Sequence, residues 1–376
     1  MSLAATFTLV RSIRERAAKR LQELARDTAA AAVAGGRAIL RNVRKGPLEI
    51  VPYRSFGTAQ RVRVMGRVVE RVKVPASRPT DAKWVNLVRL YHRVSTDGIP
   101  HAKVVARIPG IGGVTERILE ADDEGFVHQW VDLDAPLDQR VLWHPIEMHI
   151  AEPESTAKAA VLGQVLVPPV DAEFGIISDL DDTVIQSHVD DFLQAIYAVA
   201  LSNAHSRTPF PGVADFYREL AFGPDRAGHN PIFYVSSSPW ELLDAIEEFL
   251  EIQGITAGPV LLRDWDLDRR ALGGGALLGH KLPLIREILA LYPSLPFVLI
   301  GDSTQRDPEI YRQIVHEHPD RVRAIYIRNV GASAERLAAI AALAEEVTHS
   351  SARLVVVADT AEAERDALEH GLIAER

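Results

Sequence analysis

Chemically active side chains follow several apolar runs of this 376-residue sequence, each at the point where the run ends. Asp179 and Asp181 come after the first such run, Ser236 after the second, and Asp302 after a later one, whereas Lys281 opens a helix-like stretch. If the runs are parallel strands, their carboxyl ends share one edge of a sheet, and ligands bind beyond that edge. Carboxylates, a hydroxyl and an ammonium there suit phosphoryl transfer, which must position and neutralise spread negative charge.

Each of these groups has a role in such a reaction. Asp179 and Asp302 can supply the hard oxygen ligands that Mg²⁺ prefers. A carboxylate can also attack phosphorus to give an aspartyl-phosphate, and Asp181 can protonate the leaving alcohol and later activate water. Ser236 and Lys281 can hold the phosphoryl oxygens by a hydrogen bond and a point charge.

Taken singly, the motifs also have ordinary structural interpretations. Asp182 and Asp307 can be helix caps, because aspartate favours helix N-termini. Ser238 and Pro239 can begin a helix, as its N-cap and first residue. His280 is expected to be a neighbour of the site rather than a catalyst, since it has no partner at metal-ligand spacing. The order and placement of all the motifs together favour a site.

The same residues resemble a known family. Asp179–Thr183, Ser236, Lys281 and Gly301-Asp302 with Asp307 resemble the four signatures of the haloacid-dehalogenase-like phosphatase superfamily. More narrowly, Phe233–Trp240, His280-Lys281 and Gly301–Tyr311 resemble the actin-patch-protein phosphatidate phosphatase family. The resemblance covers roughly residues 172–330, and the segment 48–168 is more weakly similar to the β-rich domain that precedes the catalytic domain in bacterial members.

The resemblance implies a Mg²⁺-dependent phosphatidate phosphatase that leaves diacylglycerol. It makes Asp179 the nucleophile and a metal ligand, and Asp181 the general acid/base with its backbone carbonyl on the metal. It makes Asp302 a metal ligand and Asp307 a support for that end of the site. The substrate-binding residues it implies are Ser236, Ser237 and Lys281.

Hydrophobic periodicity predicts three parts. Residues 1–45 have apolar positions at helical spacing, residues 46–169 contain short alternating runs typical of a β-sandwich or small barrel, and residues 170–376 alternate continuous apolar strands with helices. The expected fold of the last part is therefore a Rossmann-like parallel α/β sheet, of haloacid-dehalogenase type if the resemblance holds. The spacing between Thr183 and Ser236 predicts a small cap domain or none.

Charge is unevenly distributed along the chain. Residues 1–45 carry ten basic and three acidic side chains, whereas the remainder carries 32 basic and 48 acidic ones. A basic amphipathic helix can lie on an anionic membrane surface, with each basic group contributing ~1 kcal/mol. The alternative is a solvated helix that packs on its own domain or on a second copy of the chain, as in a homodimer.

Composition excludes several classes of protein. With 47% hydrophobic and 25% charged residues the chain is typical of a globular protein, and with no cysteine it has no disulfide or zinc–thiolate site. A net charge of −9 argues against a nucleic-acid partner. We expect a cytoplasmic protein, peripheral at the inner membrane surface if the basic helix binds lipid.

Two alternative functions stay open at this point. A phosphatase for a soluble phosphomonoester would use the same groups, since fold does not determine substrate. A noncatalytic lipid- or protein-binding scaffold is the other alternative, and the presence of Asp179 argues against it.

Overall fold

The computed structural model describes residues 47–70, 98–153, 160–180, 183–184, 210–226, 228–240, 243–263, 280–348 and 350–375. The sequence pattern also predicts a strand at Trp84–Tyr91 and a helix at Asp190–Ala200, and both lie outside the described residues. The same holds for the basic segment 1–45 and for most of the region expected to hold any cap. The domain boundaries stay a prediction. Among the helices that are described, none is long and apolar enough to cross a bilayer.

The first sheet is largely antiparallel and has eight strands. The strands are β1 Leu48–Pro52, β2 Ser55–Gly57, β3 Arg61–Glu70, β4 Lys103–Gly110, β5 Gly113–Glu120, β6 Phe126–Asp132, β7 Trp143–Glu152 and β8 Val161–Leu166. Their order across the sheet is β1-β3-β2-β8-β7-β4-β5, and β6 pairs with β3 outside this order. Strands β2 and β8 are parallel, whereas the other pairs are antiparallel. The predicted β-rich segment is therefore present, and its packing as a sandwich stays a prediction.

The second sheet has six strands, all parallel. They are β9 Gly175–Asp179, β10 Ile232–Pro239, β11 Val260–Arg263, β12 Phe297–Asp302, β13 Val322–Arg328 and β14 Arg353–Val357. Their order across the sheet is β11-β10-β9-β12-β13-β14. β9 and β12 are buried along their whole length, as continuous apolar runs predict for a sheet covered on both faces. The predicted mixed α/β architecture with a parallel sheet is confirmed.

Helices alternate with these strands. They are α1 Val213–Phe222, α2 Leu243–Ile252, α3 Lys281–Leu291, α4 Asp307–Glu317, α5 Ala334–Val347 and α6 Thr360–Glu369. Apolar periodicity predicts helices over 214–220, 240–252, 282–291, 308–317 and 360–370, which match all of these except α5. Helix α5 is rich in alanine and has only Ile340 and Val347 buried. Its sequence signal is a cap instead: the Ser333 hydroxyl accepts a hydrogen bond from Arg336 N at 3.1 Å.

The strand order positions the site. β9 is the first strand of the sheet along the chain, and the next strands are added first on its β10 side and then on its β12 side. The crevice beyond β9 is therefore a topological switch point, where open parallel sheets bind their ligands. Asp179 is the last residue of β9, and Asp302 is the last residue of β12.

A shared hydrophobic core joins the two sheets. Phe56 of β2 is fully buried, and its ring lies 5.8 Å from that of Phe233 in β10, edge to face. Tyr292, just after α3, donates a hydrogen bond to the carbonyl of Gly57 at 3.1 Å, and Arg63 forms an ion pair with Glu287 at 3.0 Å. The β-rich sheet is thus packed on the α/β sheet rather than tethered to it.

Candidate active site

Three buried aspartates and one buried lysine meet at the carboxyl edge of the parallel sheet. Asp179 ends β9, Asp302 ends β12, and Asp307 and Lys281 begin helices α4 and α3. One carboxylate oxygen from each aspartate lies within 4.8 Å of the others. Lys281 Nζ lies 2.9 Å from Asp179 Oδ1 and 2.7 Å from Asp307 Oδ1. The structure thus brings together four residues that are distant in the sequence.

The charge of Lys281 is held by its neighbours. Burial alone would lower the pKa of its ammonium, but the carboxylates of Asp179 and Asp307 raise that pKa above its ordinary value. Lys281 therefore stays protonated at neutral pH. Its ammonium also donates a hydrogen bond to Gln305 Oε1 at 3.3 Å.

Asp302 is held by the loop that follows β12. Its Oδ1 accepts hydrogen bonds from Thr304 N at 2.6 Å, Thr304 Oγ1 at 2.5 Å and Gln305 N at 2.9 Å. Its Oδ2 is buried and has no hydrogen-bond partner among the described residues. Burial and the charge of Asp307 raise the pKa of Asp302. Asp302 thus keeps one buried carboxylate oxygen that accepts no hydrogen bond from any described residue.

This donor set fits a divalent cation. Three buried carboxylates face one ammonium, so the cluster has an excess of negative charge that burial makes costly. Asp302 Oδ2 is an oriented carboxylate oxygen, the hard ligand that Mg²⁺ prefers. The residues present therefore suit a divalent cation such as Mg²⁺, which Asp179 and Asp302 would hold.

Asp307 has a different position from the other two aspartates. Its Oδ1 accepts from Lys281, and its Oδ2 accepts from the backbone N–H of Asp302 at 3.2 Å. Both oxygens are thus engaged, one on the lysine and one on the strand end that carries Asp302. Asp307 supports that end of the site, and its alternative interpretation as only a helix cap does not account for these two contacts.

The backbone beneath Asp179 is held by two hydroxyls. Ser178 Oγ donates a hydrogen bond to the carbonyl of Asp179 at 2.7 Å. Because the serine hydroxyl has only one proton, Tyr217 OH, which lies 2.7 Å from Ser178 Oγ, is the donor in the second hydrogen bond. Burial raises the pKa of Tyr217, which keeps this proton in place. The last residue of β9 is therefore tied to helix α1.

The serine segment of β10 lies beside β9, where Val235 pairs with Asp179. Ser236 is buried, and its hydroxyl donates to Ser238 Oγ at 2.9 Å, whereas Ser237 is exposed and is not drawn into the cluster. β10 continues through Pro239, so the alternative of a helix that begins at Ser238 is wrong. His280 Nε2 lies 3.1 Å from the carbonyl of Ser236, the neighbour position expected for it.

Other predicted residues have no described position. Asp181 and Asp182 lie outside the described residues, as does the glycine-rich stretch before His280. Conversely, sequence reasoning assigned no role to Thr304 and Gln305, which bind Asp302 and Lys281. Their signal was their place inside the loop between Asp302 and Asp307.

Comparison with protein families assigns the segment that carries this site. Residues 174–329 match the family model described as "Phosphatidate phosphatase APP1, catalytic domain", and every described site residue lies within that range. Over this segment the chain is similar to the APP1 catalytic domain. The rest of the chain lies outside the match.

Two curated proteins are similar to this chain over part of their length. "Phosphatidate phosphatase APP1" of Saccharomyces cerevisiae is 27% identical over 154 residues, which are 41% of this chain and 25% of that protein. An uncharacterised protein of Schizosaccharomyces pombe is 26% identical over 181 residues, 47% of this chain and 29% of that protein. The chain therefore matches less than a third of the length of either relative.

Similarity to solved structures is too low to carry an argument. An exo-chitosanase of Amycolatopsis orientalis aligns with 84% of this chain and 32% of its own at 9% identity, with a TM-score of 0.18. A family 39 glycoside hydrolase of Bacteroides cellulosilyticus aligns with 69% of this chain and 46% of its own at 12% identity, with a TM-score of 0.16.

Proposed function

We propose that the chain is a Mg²⁺-dependent phosphatase of haloacid-dehalogenase type that hydrolyses phosphatidate to diacylglycerol and phosphate. The observation that carries this proposal is the convergence of Asp179, Asp302 and Asp307 on Lys281 at the switch point of a parallel sheet. The lipid substrate is supported by the family match of residues 174–329. The oriented, unbonded Oδ2 of Asp302 supports the requirement for a metal.

Asp179 and Asp302 would hold the Mg²⁺, together with the backbone carbonyl of Asp181. When bound, the ion supplies positive charge that neutralises the phosphoryl oxygens during transfer. Asp307 keeps the end of β12 and the ammonium of Lys281 in place.

Phosphoryl transfer in this proposal takes two steps. A carboxylate oxygen of Asp179 forms a bond to phosphorus as the bond between phosphorus and the glycerol oxygen breaks, and Asp181 gives its proton to that oxygen. Water then attacks the phosphorus of the aspartyl-phosphate and passes a proton to Asp181, while the bond to Asp179 breaks. Diacylglycerol and phosphate are released, and both aspartates return to their starting states.

The phosphoryl group is held by groups that keep their charge or proton throughout. Lys281 remains an ammonium because its two carboxylate neighbours raise its pKa, so it can pair with a phosphoryl oxygen beside Asp179. Ser236 supplies a hydroxyl from the neighbouring strand, and Ser237 is the next residue along it. These residues orient the substrate for attack by Asp179.

The test is phosphate release from phosphatidate in detergent micelles by the full chain, with and without Mg²⁺. We expect release that needs Mg²⁺ and is lost in Asp179→Asn. Release from soluble phosphomonoesters but not from phosphatidate would retain the chemistry and reject the lipid substrate. No release from any phosphomonoester would reject the enzyme and favour a binding scaffold.

A further inference from the structure

Arg336 projects from helix α5 onto the loop that holds Asp302. Its Nε donates to the carbonyl of Ser303 at 2.9 Å, and its Nη2 donates to the carbonyl of Gln305 at 2.7 Å. The same guanidinium forms a bidentate pair with Glu309 of α4, through Nη1 and through Nη2, the latter at 3.0 Å. One side chain thus ties two carbonyls of a short loop to the helix that follows it.

The loop held by Arg336 is the one that orients the site. Its Thr304 and Gln305 backbone N–H groups donate to Asp302 Oδ1, and its Gln305 side chain accepts from Lys281. The carbonyls that bind Arg336 belong to Ser303 and Gln305, the residues on either side of Thr304. A shift of this loop would therefore move the carboxylate of Asp302 and the partner of Lys281 together.

The local sequence at the start of α5 places Arg336 next to this loop. Ser333 caps α5 by accepting from Arg336 N, which places Arg336 in the first turn of the helix. Its side chain is three-quarters buried, and the hydrogen bond to Glu309 raises the pKa of the guanidinium. Ser303, whose N–H donates to the carbonyl of Arg328, fixes the other side of the loop.

We infer that Arg336 is a positioning residue for the divalent-metal site, acting through the Ser303–Gln305 loop from a helix beyond the segment matched to the family. The inference rests on the proposed function for its link to turnover, but its geometry concerns only this chain. Groups that orient metal ligands commonly account for ~10–100-fold of metal affinity or activity. The planar guanidinium of Arg336 binds two carbonyls and a carboxylate at once, and the single ammonium of a lysine cannot reproduce this geometry.

The experiment compares Arg336→Met and Arg336→Lys with Arg312→Met in the full chain. Arg312 is a matched control, because it also joins α4 to α5, through an exposed ion pair with Glu346 at 3.2 Å. Three properties are measured: Mg²⁺ affinity by calorimetry, amide hydrogen exchange of Thr304 and Gln305, and kcat and KM on phosphatidate micelles. Thermal unfolding of each variant checks that it is folded.

We expect both Arg336 variants to bind Mg²⁺ about tenfold or more weakly than wild type. Exchange at Thr304 and Gln305 should be faster, and kcat should fall while KM for phosphatidate changes little. Arg312→Met should match wild type in all three measurements. If Arg336→Met does not fold, Glu309→Gln replaces it, and a smaller change in the same direction is expected.

The inference is overturned if the Arg336 variants match Arg312→Met in Mg²⁺ affinity and in exchange at Thr304 and Gln305. Rescue by Arg336→Lys would also overturn it, because charge alone would then suffice. If the wild type releases no phosphate from any monoester, the proposed function fails. Calorimetry and exchange still decide the role of Arg336 in that case, and a wild type that binds no Mg²⁺ overturns the inference.

Discussion

Asp302 presents its two carboxylate oxygens to different surroundings, and this difference defines the site at the scale of single residues. Oδ1 is fixed by the Thr304 and Gln305 donors of the loop, so the position of Oδ2 is set before any ligand arrives. Lys281 offsets part of the negative charge while leaving that oxygen in place. Preorganisation of this kind lowers the cost of binding a cation or a charged transition state.

Gly301 tests how tightly the site is packed. A Cβ at this position would lie 2.5 Å from Asp307 Oδ2, so Gly301→Ala must displace the carboxylate that binds Lys281 and the N–H of Asp302. We expect the free energy of unfolding to fall by about 1–3 kcal/mol and phosphate release to drop at least about tenfold. Urea unfolding and phosphatidate assays measure the two effects.

Gly113→Ala is the matched control for Gly301→Ala. It is also a strand glycine, and a Cβ there would meet only the Cβ of Ala135, at 3.3 Å. We expect it to leave phosphate release unchanged. Equal activity of the two alanine variants would contradict the role given to the Gly301–Asp307 contact.

At the scale of elements, the ends of β9 and β12 and the beginnings of α3 and α4 form the site. Strand ends supply the carboxylates because the interior of each strand is buried and apolar, whereas the first polar residues come where the sheet stops. Helix beginnings supply Lys281 and Asp307. Helix α5 contributes indirectly, through Arg336 in its first turn.

The caps of α5 and α6 give a paired prediction. Ser333→Ala removes the acceptor for Arg336 N, and Asp359→Ala removes the acceptor for Glu362 N at the start of α6. Each loss should lower the free energy of unfolding by about 0.5–2 kcal/mol in urea titrations. Only Ser333→Ala should also reduce kcat, because α5 carries Arg336. A reduction of kcat by both variants alike would indicate a general effect of stability instead.

At the scale of the whole molecule, the two sheets bury a common core. Phe56, Tyr53 and Met65 of the β-rich part belong to the same buried cluster as Phe233 and Tyr292 of the α/β part. Removal of either part would expose this apolar surface to water, which is unfavourable in proportion to its area. The two parts should therefore unfold together.

Phe56→Ala tests this shared core. We expect a loss of about 3–5 kcal/mol in the free energy of unfolding, because the substitution leaves a cavity between the two sheets. Both sheets should still unfold in one transition, followed by tryptophan fluorescence and circular dichroism. Ile118→Ala, at a site that is 68% exposed, is the control and should cost little. Separate transitions in wild type would contradict the shared core.

The basic segment 1–45 gives a second prediction at this scale. Its excess of basic side chains should attract anionic lipid, with each group contributing ~1 kcal/mol. Deletion of residues 1–45 should weaken sedimentation of the protein with anionic vesicles and leave turnover of a soluble phosphomonoester unchanged. Unchanged vesicle binding would reject a docking role and favour packing on the chain or on a second copy.

The sequence by itself predicted the parallel α/β sheet, which the structure confirms, and it proposed Asp179, Ser236, Lys281, Asp302 and Asp307 as site residues. These were readable because a strand buried on both faces is a continuous apolar run, and because function is concentrated where such runs end. The same logic failed for α5, whose alanine-rich sequence has little apolar periodicity.

Only the tertiary structure decided which side chains support the site and what the β-rich part packs against. Arg336 and Gln305 carry no spacing pattern that marks them, since their roles depend on contacts between elements far apart along the chain. The contact between Phe56 and Phe233 likewise could not be predicted, because the sequence of β2 indicates only that the strand is partly apolar. Local sequence specifies periodicity and caps, whereas distances between side chains on different elements arise only when those elements pack together.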